Sequence, residues 1–209
     1  MAAMAIALAV LASYLLGSIS FAIVVSKVMR LPDPRSYGSK NPGATNVLRT
    51  GKLAAAVLTL AGDAAKGFLA AWLTGRYLPD AMALAGLAAF LGHLYPVYHR
   101  FQGGKGVATA AGVLLGFNLW LGVGTLVTWI VVAALLRYAS LASVVAALFA
   151  AFYAWWLFGF MHIPAVVLVM AAMVIWRHRE NLRRLVAGTE SRLGQKSATP
   201  PPDPNAASR

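Results

Sequence analysis

Long apolar segments alternate with short polar ones along most of the chain. A helix needs about 20 apolar residues to cross the hydrocarbon core of a bilayer, with a range of roughly 17–25. Segments that meet this requirement lie at residues 3–25, 53–73, 81–98, 141–158 and 163–176, the last continuing into a polar tail. The pattern therefore predicts an all-α, polytopic membrane protein.

Residues 107–136 form an apolar stretch that is too long for a single span. Gly116, Phe117 and Asn118 interrupt it, so we interpret it as two helices, the first of them short. The prediction is then seven transmembrane helices. A single helix here would give six spans and would move Arg137 and the basic C-terminal region to the other side of the membrane.

Basic residues are distributed unevenly between the predicted spans. With seven spans and the N-terminus outside, Arg76 is the only basic residue of the outside loops. Because Lys and Arg accumulate on the cytoplasmic side, this predicts a cytoplasmic C-terminus. The first basic residue, Lys27, follows the first apolar run, which favours an uncleaved helix over a signal peptide.

Composition agrees with a membrane protein. The chain is 60% hydrophobic and 11% charged, whereas soluble domains have about 25% charged residues. The net charge of +12 comes from residues between apolar segments, where topology and anionic lipid explain it better than nucleic acid. There is no cysteine, and the four histidines lack the paired spacing of a zinc motif, so we expect no metal site.

The chain divides into one membrane domain, residues 1–195, and a tail, residues 196–209. Four prolines lie in the tail. We predict that the tail is disordered, because such a composition buries too little apolar surface to fold.

The first of three polar segments on the predicted inside face comprises residues 38–49. Its glycines and proline favour a tight loop whose backbone N–H groups face an anion, and a helix follows. The alternative is a connecting loop in which Thr45 or Asn46 caps that helix.

The second polar segment, residues 92–106, ends in three glycines around Lys105. A lysine at a glycine-rich helix start suits phosphate. No Ser or Thr follows Lys105 directly, so an ATP-binding loop is not indicated. The alternative is a basic turn at the membrane interface.

The third polar segment, residues 176–185, is strongly basic. On a helix, His178 and Asn181 share a face, and Glu180 shares one with Arg177 and Arg184. The alternative is a basic helix end lying on anionic lipid.

Asp63 and Lys66 lie inside the second span, where charges are costly unless paired. Their spacing predicts an ion pair that holds helix packing. Ser140 and Ser143 begin the sixth span on the same side as the polar segments, where they either cap the helix or present hydroxyls to the site.

Two basic, glycine-rich segments on one face indicate more than one phosphate group, and the absence of paired carboxylates there counts against a metal-dependent lipid phosphotransferase. That enzyme class remains one alternative, and a phosphate-ester transporter is the other, although no internal repeat supports it.

Together these residues resemble the bacterial acyl-phosphate:glycerol-3-phosphate acyltransferases. The resemblance covers residues 17–190. Its motifs, in order, are residues 17–19 (GSI), 38–46 (GSKNPGATN), 62–67 (GDAAKG), 92–93 (GH), 103–106 (GGKG) and 178–181 (HREN). The order of these motifs is more specific than any one of them.

The resemblance implies a seven-span enzyme that needs no cofactor. It implies transfer of a long-chain acyl group from acyl phosphate, not from acyl-CoA or acyl carrier protein, to the sn-1 hydroxyl of glycerol 3-phosphate. The products are lysophosphatidic acid and inorganic phosphate, in the first acylation of phospholipid synthesis. Membrane lipid and the two substrates are the implied partners; nucleic acid is not, and the oligomeric state stays open, a monomer being compatible.

The resemblance also implies a set of site residues. Lys105, His178, Asn181 and Ser39 are the expected catalytic residues, with the Ser39 loop and the Gly103–Lys105 turn on the acyl phosphate. Arg49, with Lys105, His178 and Asn181, is expected on glycerol 3-phosphate. Further expected substrate contacts are Gly38, Asn41, Gly43, Thr45, Asn46, His93, Gly103, Gly104, and Ser140 or Ser143. His93, His178 or the substrate's own phosphate accepts the proton.

Overall fold

The computed structural model of the protein describes residues 1–194, so the predicted tail at residues 196–209 and the last residue of the predicted domain lie outside the described residues. Over residues 1–194 the chain forms ten α-helices joined by loops and three short 3-10 turns, with no strand. The helices are α1 (Ala2–Gly17), α2 (Phe21–Val28), α3 (Ala44–Val47), α4 (Leu53–Tyr77), α5 (Met82–Leu94), α6 (Val107–Phe117), α7 (Leu119–Leu136), α8 (Ala139–Phe158), α9 (His162–Arg177) and α10 (Arg179–Val186). The all-α prediction is confirmed.

Four helical segments of the described chain are long and apolar enough to cross a membrane. They are Leu53–Tyr77, Pro79–His99, Leu119–Leu136 and Ala139–Phe158. The pair α1 and α2 makes a fifth if it is counted as one bent span, and α6 and α9 are shorter apolar helices. The break predicted near Asn118 is present, since this residue ends α6 and its side chain caps α7. Seven spans remain a prediction.

The first apolar segment is not the continuous helix that the sequence predicts. A bend of 44° separates α1 from α2, and it leaves backbone groups without helical partners. Lys66 of α4 donates from Nζ to the Ile19 carbonyl oxygen over 2.5 Å, and Asp63 Oδ1 accepts from the Phe21 N–H over 3.4 Å. Side chains of α4 thus satisfy both backbone ends of the break, as a buried helix terminus requires.

The predicted ion pair of α4 is confirmed. Lys66 Nζ lies 2.8 Å from Asp63 Oδ1, and the two side chains are 1% and 2% exposed. His93 of α5 joins them, with its Nδ1 3.0 Å from Lys66 Nζ. The cluster ties α4, α5 and the α1–α2 break together below the polar end of the molecule.

Helices α4 and α6 approach each other through glycines. A Cβ atom on Gly112 would lie 1.9 Å from the Ala64 carbonyl oxygen, and one on Gly67 would lie 2.3 Å from the Thr109 carbonyl oxygen. Small residues at such positions let helix backbones pack closely in a membrane, where no hydrophobic effect drives helices together. The position of α6, and of Lys105 just before it, therefore depends on this contact.

We expect Gly112→Ala to destabilise the protein by about 1–3 kcal/mol, because the new methyl group overpacks a backbone contact that has no flexible side chain to yield. Thermal unfolding in detergent, monitored by fluorescence-detected size-exclusion chromatography, measures the loss of stability. Gly124→Ala is the matched control, since its Cβ would make only an ordinary contact, 3.4 Å from the Tyr153 ring. Equal melting temperatures for both variants would contradict the proposed close packing.

Candidate functional site

The three polar segments meet at one end of the helix bundle. Arg177 donates from Nη2 to the Gly103 carbonyl oxygen over 2.7 Å, which joins the third segment to the second. The Lys105 ammonium donates to Asn181 Oδ1, which joins them again. Arg49 donates from Nη2 to Ser191 Oγ over 2.8 Å, which brings the first segment to the residues after α10.

The loop of the first segment is shaped by Asn46, which is 2% exposed. Asn46 Oδ1 accepts from the Ser39 N–H over 3.0 Å, and its Nδ2 donates to the carbonyl oxygens of Pro34 and Tyr37. These bonds use the amide within the loop, so Asn46 organises the loop, and its contact with substrate stays a prediction.

Glycine is required at position 38 of this loop. Gly38 has φ +57, and a Cβ there would lie 2.4 Å from Asn46 Oδ1 and 2.9 Å from Arg49 Cδ. Of the other predicted residues of the loop, Ser39 and Thr45 are exposed, while Asn41 and Gly43 are partly buried. The buried Asn46 side chain thus fixes the loop from the protein interior, while Ser39 and Thr45 lie at its exposed surface.

The Gly103–Gly104 turn lies directly on His93. The Gly104 N–H donates to the His93 carbonyl oxygen over 3.1 Å, and a Cβ on Gly104 would lie 2.2 Å from His93 Nε2. Both glycines are therefore needed for this close approach. The His93 ring is buried beneath the turn, with Nδ1 engaged by Lys66, and its contact with substrate stays a prediction.

A connected set of polar side chains begins at Lys105. Asn181 accepts from Lys105 and donates from Nδ2 to Glu190 Oε1 over 2.6 Å. Ser140 Oγ donates to the same Glu190 oxygen over 2.8 Å, and Arg184 Nε donates to Oε2 over 2.8 Å. This network joins elements that are far apart in sequence: the turn before α6, the start of α8 and helix α10.

Glu190 is a central residue that the sequence interpretation missed. Its side chain is 6% exposed. Burial pushes the pKa of Glu190 upward, but hydrogen bonds from Asn181, Ser140 and Arg184 outweigh it and hold the pKa below its usual range. The resemblance ends at this residue, and an acid at the end of a basic segment was a signal that could have identified it.

The predicted face shared by Glu180, Arg177 and Arg184 is present only in part, because Glu180 and Arg184 are four residues apart in α10 while Arg177 belongs to α9. Helix α9 ends at Arg177 and α10 starts at Arg179, so helical spacing does not continue through His178. Glu180 instead pairs with Arg183 at the surface, and Arg184 pairs with Glu190.

His178 lies at the junction of α9 and α10 and is buried. Its Nδ1 lies 2.8 Å from the Val174 carbonyl oxygen, so this nitrogen carries the proton and Nε2 is left as an acceptor. Burial lowers the pKa of His178 to about 4, and the charge of Lys105 acts in the same direction. The imidazole is therefore neutral at physiological pH.

Burial also lowers the pKa of Lys105, to about 8, and Arg184 and Arg177 add to this effect while Glu190 opposes it. The ammonium is still the main form at neutral pH. It is a partly dehydrated cation whose hydrogen-bond partner, the Asn181 amide, is neutral, an arrangement that suits an incoming anion.

The structure separates the two candidate serines. Ser140 belongs to the Glu190 network, whereas Ser143 Oγ donates to the Ala139 carbonyl oxygen over 2.7 Å and accepts from Trp129 Nε1 over 3.1 Å. Ser143 therefore joins α7 to α8 outside the network. Neither hydroxyl caps α8.

Comparison with known proteins agrees with these observations. The family model described as glycerol-3-phosphate acyltransferase matches residues 7–188. A glycerol-3-phosphate acyltransferase of Paraburkholderia phymatum is 59% identical over 190 residues, 88% of this chain and 90% of the relative. One from Burkholderia pseudomallei is 59% identical over 201 residues, 94% of this chain and 99% of the relative.

Two crystal structures of PlsY (YgiH), an integral membrane glycerol 3-phosphate acyltransferase, have a similar fold. The glycerol 3-phosphate form has a TM-score of 0.87 and 37% identity, and the lysophosphatidic acid form has a TM-score of 0.85 and 36% identity. Each match covers 91% of this chain and 96% of the other.

We expect Glu190→Gln to lower the free energy of unfolding by about 1–3 kcal/mol at neutral pH, because Arg184 loses its counter-charge and an acceptor is exchanged for a donor in a buried network. Thermal unfolding in detergent measures this loss. Glu180→Gln is the matched control, since its carboxylate is 55% exposed.

The stability lost in Glu190→Gln should become smaller as the pH falls. The pKa of Glu190 is held below its usual range, so its stabilisation is complete above that range and disappears as the pH falls through the lowered pKa. An equal loss for Glu180→Gln, or a difference that grows in acid, would contradict the central role of Glu190.

Proposed function

Because the chain belongs to the glycerol-3-phosphate acyltransferase family, we propose that it transfers a long-chain acyl group from acyl phosphate to the sn-1 hydroxyl of glycerol 3-phosphate. It is an integral membrane acyltransferase of phospholipid biosynthesis. The observation that carries the proposal is the meeting of Lys105, Arg49 and the glycine-rich turn at one end of an apolar bundle.

The reaction needs no nucleophile from the protein. The sn-1 oxygen forms a bond to the acyl carbon, the bond from that carbon to the phosphate oxygen breaks, and the hydroxyl proton leaves with inorganic phosphate. The products are lysophosphatidic acid and phosphate. Forms of the related PlsY with glycerol 3-phosphate and with lysophosphatidic acid support this acceptor and this product.

Charge is the main requirement, since both substrates are anions that repel each other. Fixed cations in a preorganised site offset this repulsion and hold the reactants in attack geometry. In the proposal, the Ser39 loop and the Gly103–Lys105 turn hold the phosphate of the donor. Arg49, Asn181 and His178 hold the acceptor, with Lys105 between the two substrates.

We assign the acceptor of the sn-1 hydroxyl proton by excluding two of the three expected groups, His93 and His178. His93 is bound by Lys66 beneath the turn. His178 has a free Nε2, but a base with a pKa of about 4 is weak at neutral pH. We therefore assign His178 to orienting the hydroxyl as a hydrogen-bond acceptor, and the proton to the phosphate of the substrate.

The proposed arrangement places this site at the cytoplasmic face of the bacterial inner membrane, with seven spans and the N-terminus outside. The basic segments support this orientation, because Lys40, Arg49, Lys105 and the arginines of α10 all belong to the polar end. The donor's apolar chain then lies along the membrane helices while its phosphate stays at the interface.

The proposal is tested by mixing the purified protein with palmitoyl phosphate and glycerol 3-phosphate. We expect lysophosphatidic acid and phosphate in equal amounts, unaffected by EDTA and not supported by palmitoyl-CoA. Loss of activity in EDTA, or head-group transfer, would favour a metal-dependent phosphotransferase. Uptake of unchanged glycerol 3-phosphate into vesicles, without product, would favour a transporter.

We expect Lys105→Ala to lower kcat/KM about ten- to a hundredfold, since a charge-assisted contact to phosphate is worth roughly 1.5–3 kcal/mol. In the wild type, kcat/KM for glycerol 3-phosphate should fall above about pH 8, because the ammonium is the binding form and its pKa is lowered to about 8. Lys105→Arg should keep partial activity but lose this alkaline decline, because arginine stays charged.

The control for Lys105 is Lys27→Ala, which removes an exposed cation from α2 and should leave the pH profile unchanged. Near-normal kinetics for Lys105→Ala would remove Lys105 from the proposed site and leave it as an interfacial anchor.

A further inference from the structure

Arg177 is the second residue of the site that the sequence interpretation missed. It is the last residue of α9 and is partly buried. Its Nη2 donates to the Gly103 and Gly104 carbonyl oxygens over 2.7 and 2.9 Å, and its Nε donates to the Gly104 oxygen over 3.2 Å. One guanidinium thus binds both carbonyl groups of the turn that precedes Lys105.

The position of this guanidinium is determined from a second side. Its Cζ lies 5.9 Å from the centre of the Tyr95 ring, and the Tyr95 carbonyl oxygen accepts from the Tyr14 hydroxyl over 2.7 Å. Over residues 1–194, Arg177 forms no ion pair with a carboxylate, whereas Arg183 and Arg184 each do. Carbonyl dipoles and an aromatic face hold its charge instead, a use to which the planar guanidinium is suited.

The turn has few other means of keeping its form. On one side the Gly104 N–H binds the His93 carbonyl oxygen, and on the other the carbonyl groups bind Arg177. Glycine itself has the greatest conformational freedom of any residue. Without the guanidinium, one backbone hydrogen bond to these two glycines would remain within residues 1–194, beside their packing on His93, and Lys105 follows them directly.

We propose that Arg177 is a positioning residue that clamps the Gly103–Gly104 turn and so aims Lys105 at the substrates. The catalytic part of the proposal rests on the proposed acyl transfer, but the clamp itself does not. Arg177 acts through the turn, because its described hydrogen bonds all end on the two carbonyl oxygens. The side chain brings the end of α9 to the start of α6, which makes the site depend on the contact between these helices.

Hydrogen–deuterium exchange in detergent, without substrate, tests the clamp directly. We expect amide exchange in residues 102–107 to be faster in Arg177→Ala than in the wild type, because the Gly104 N–H opens more often. Arg183→Ala is the matched control, since it removes an equal charge from an exposed side chain that is bound to exposed Glu180. Unchanged exchange in Arg177→Ala would overturn the proposal.

Kinetics with palmitoyl phosphate test the catalytic consequence. Misplacement of a catalytic group by about 1 Å can cost on the order of a hundredfold in rate, so kcat should fall by about that factor in Arg177→Ala. The KM for glycerol 3-phosphate should stay within about threefold of the wild-type value. Added guanidinium ion should restore part of kcat in Arg177→Ala and none in a Lys105→Ala variant.

Arg177→Lys keeps the charge and provides a second test if the alanine variant does not fold. One ammonium replaces a planar fork on two carbonyl groups, so we expect faster exchange in residues 102–107 and a kcat lowered about tenfold. A raised KM with normal kcat would show instead that Arg177 binds the acceptor and would overturn the positioning role. If the wild type does not use acyl phosphate, the proposed function fails, while the exchange result still decides whether Arg177 clamps the turn.

Discussion

The carboxylate of Glu190 accepts hydrogen bonds from Ser140, Asn181 and Arg184, and through Asn181 it reaches the Lys105 ammonium. The proposed site for two phosphates needs cations, and cations in a partly buried site repel one another. One acid behind the site reduces that repulsion without occupying the space of the ligands, because it binds Asn181 and not Lys105 itself. The neutral amide between them separates structural charge from the charge that is left for substrate.

Helix α4 makes two different kinds of contact on two of its faces. Toward α1, α2 and α5 it presents Asp63 and Lys66, which bind the backbone groups left open by the bent first helix. Unsatisfied backbone groups are very costly in hydrocarbon, so the bend requires such side chains. Toward α6 it presents Gly67, where the two backbones nearly touch. The polar turn before α6 is therefore anchored to the apolar interior by packing on one side and by His93 on the other.

The sequence predicts the elements that depend on local pattern. Apolar length indicates most of the helices, the spacing of Asp63 and Lys66 predicts their ion pair, and the one-sided polar segments do meet. The errors concern contacts made across the fold. The bend after α1 follows from the side chains of α4, and Glu190 and Arg177 acquire partners from distant segments. The prediction that Arg177 shares a helical face with Glu180 failed for a local reason, because α9 ends at Arg177, one residue before His178. The roles of the site residues toward substrate remain predictions.

The contacts between Arg49 and Ser191 and between Lys105 and Asn181 join early parts of the chain to late parts, which are synthesised at different times. The chain is made from its N-terminus, so the loop around Ser39 and the turn before α6 exist well before the segment that contains His178, Asn181 and Glu190. A nascent chain that has inserted its earlier helices therefore lacks the contacts of Arg49 with Ser191 and of Lys105 with Asn181. The polar end of the molecule is therefore completed late in synthesis, once the residues up to Ser191 have been made.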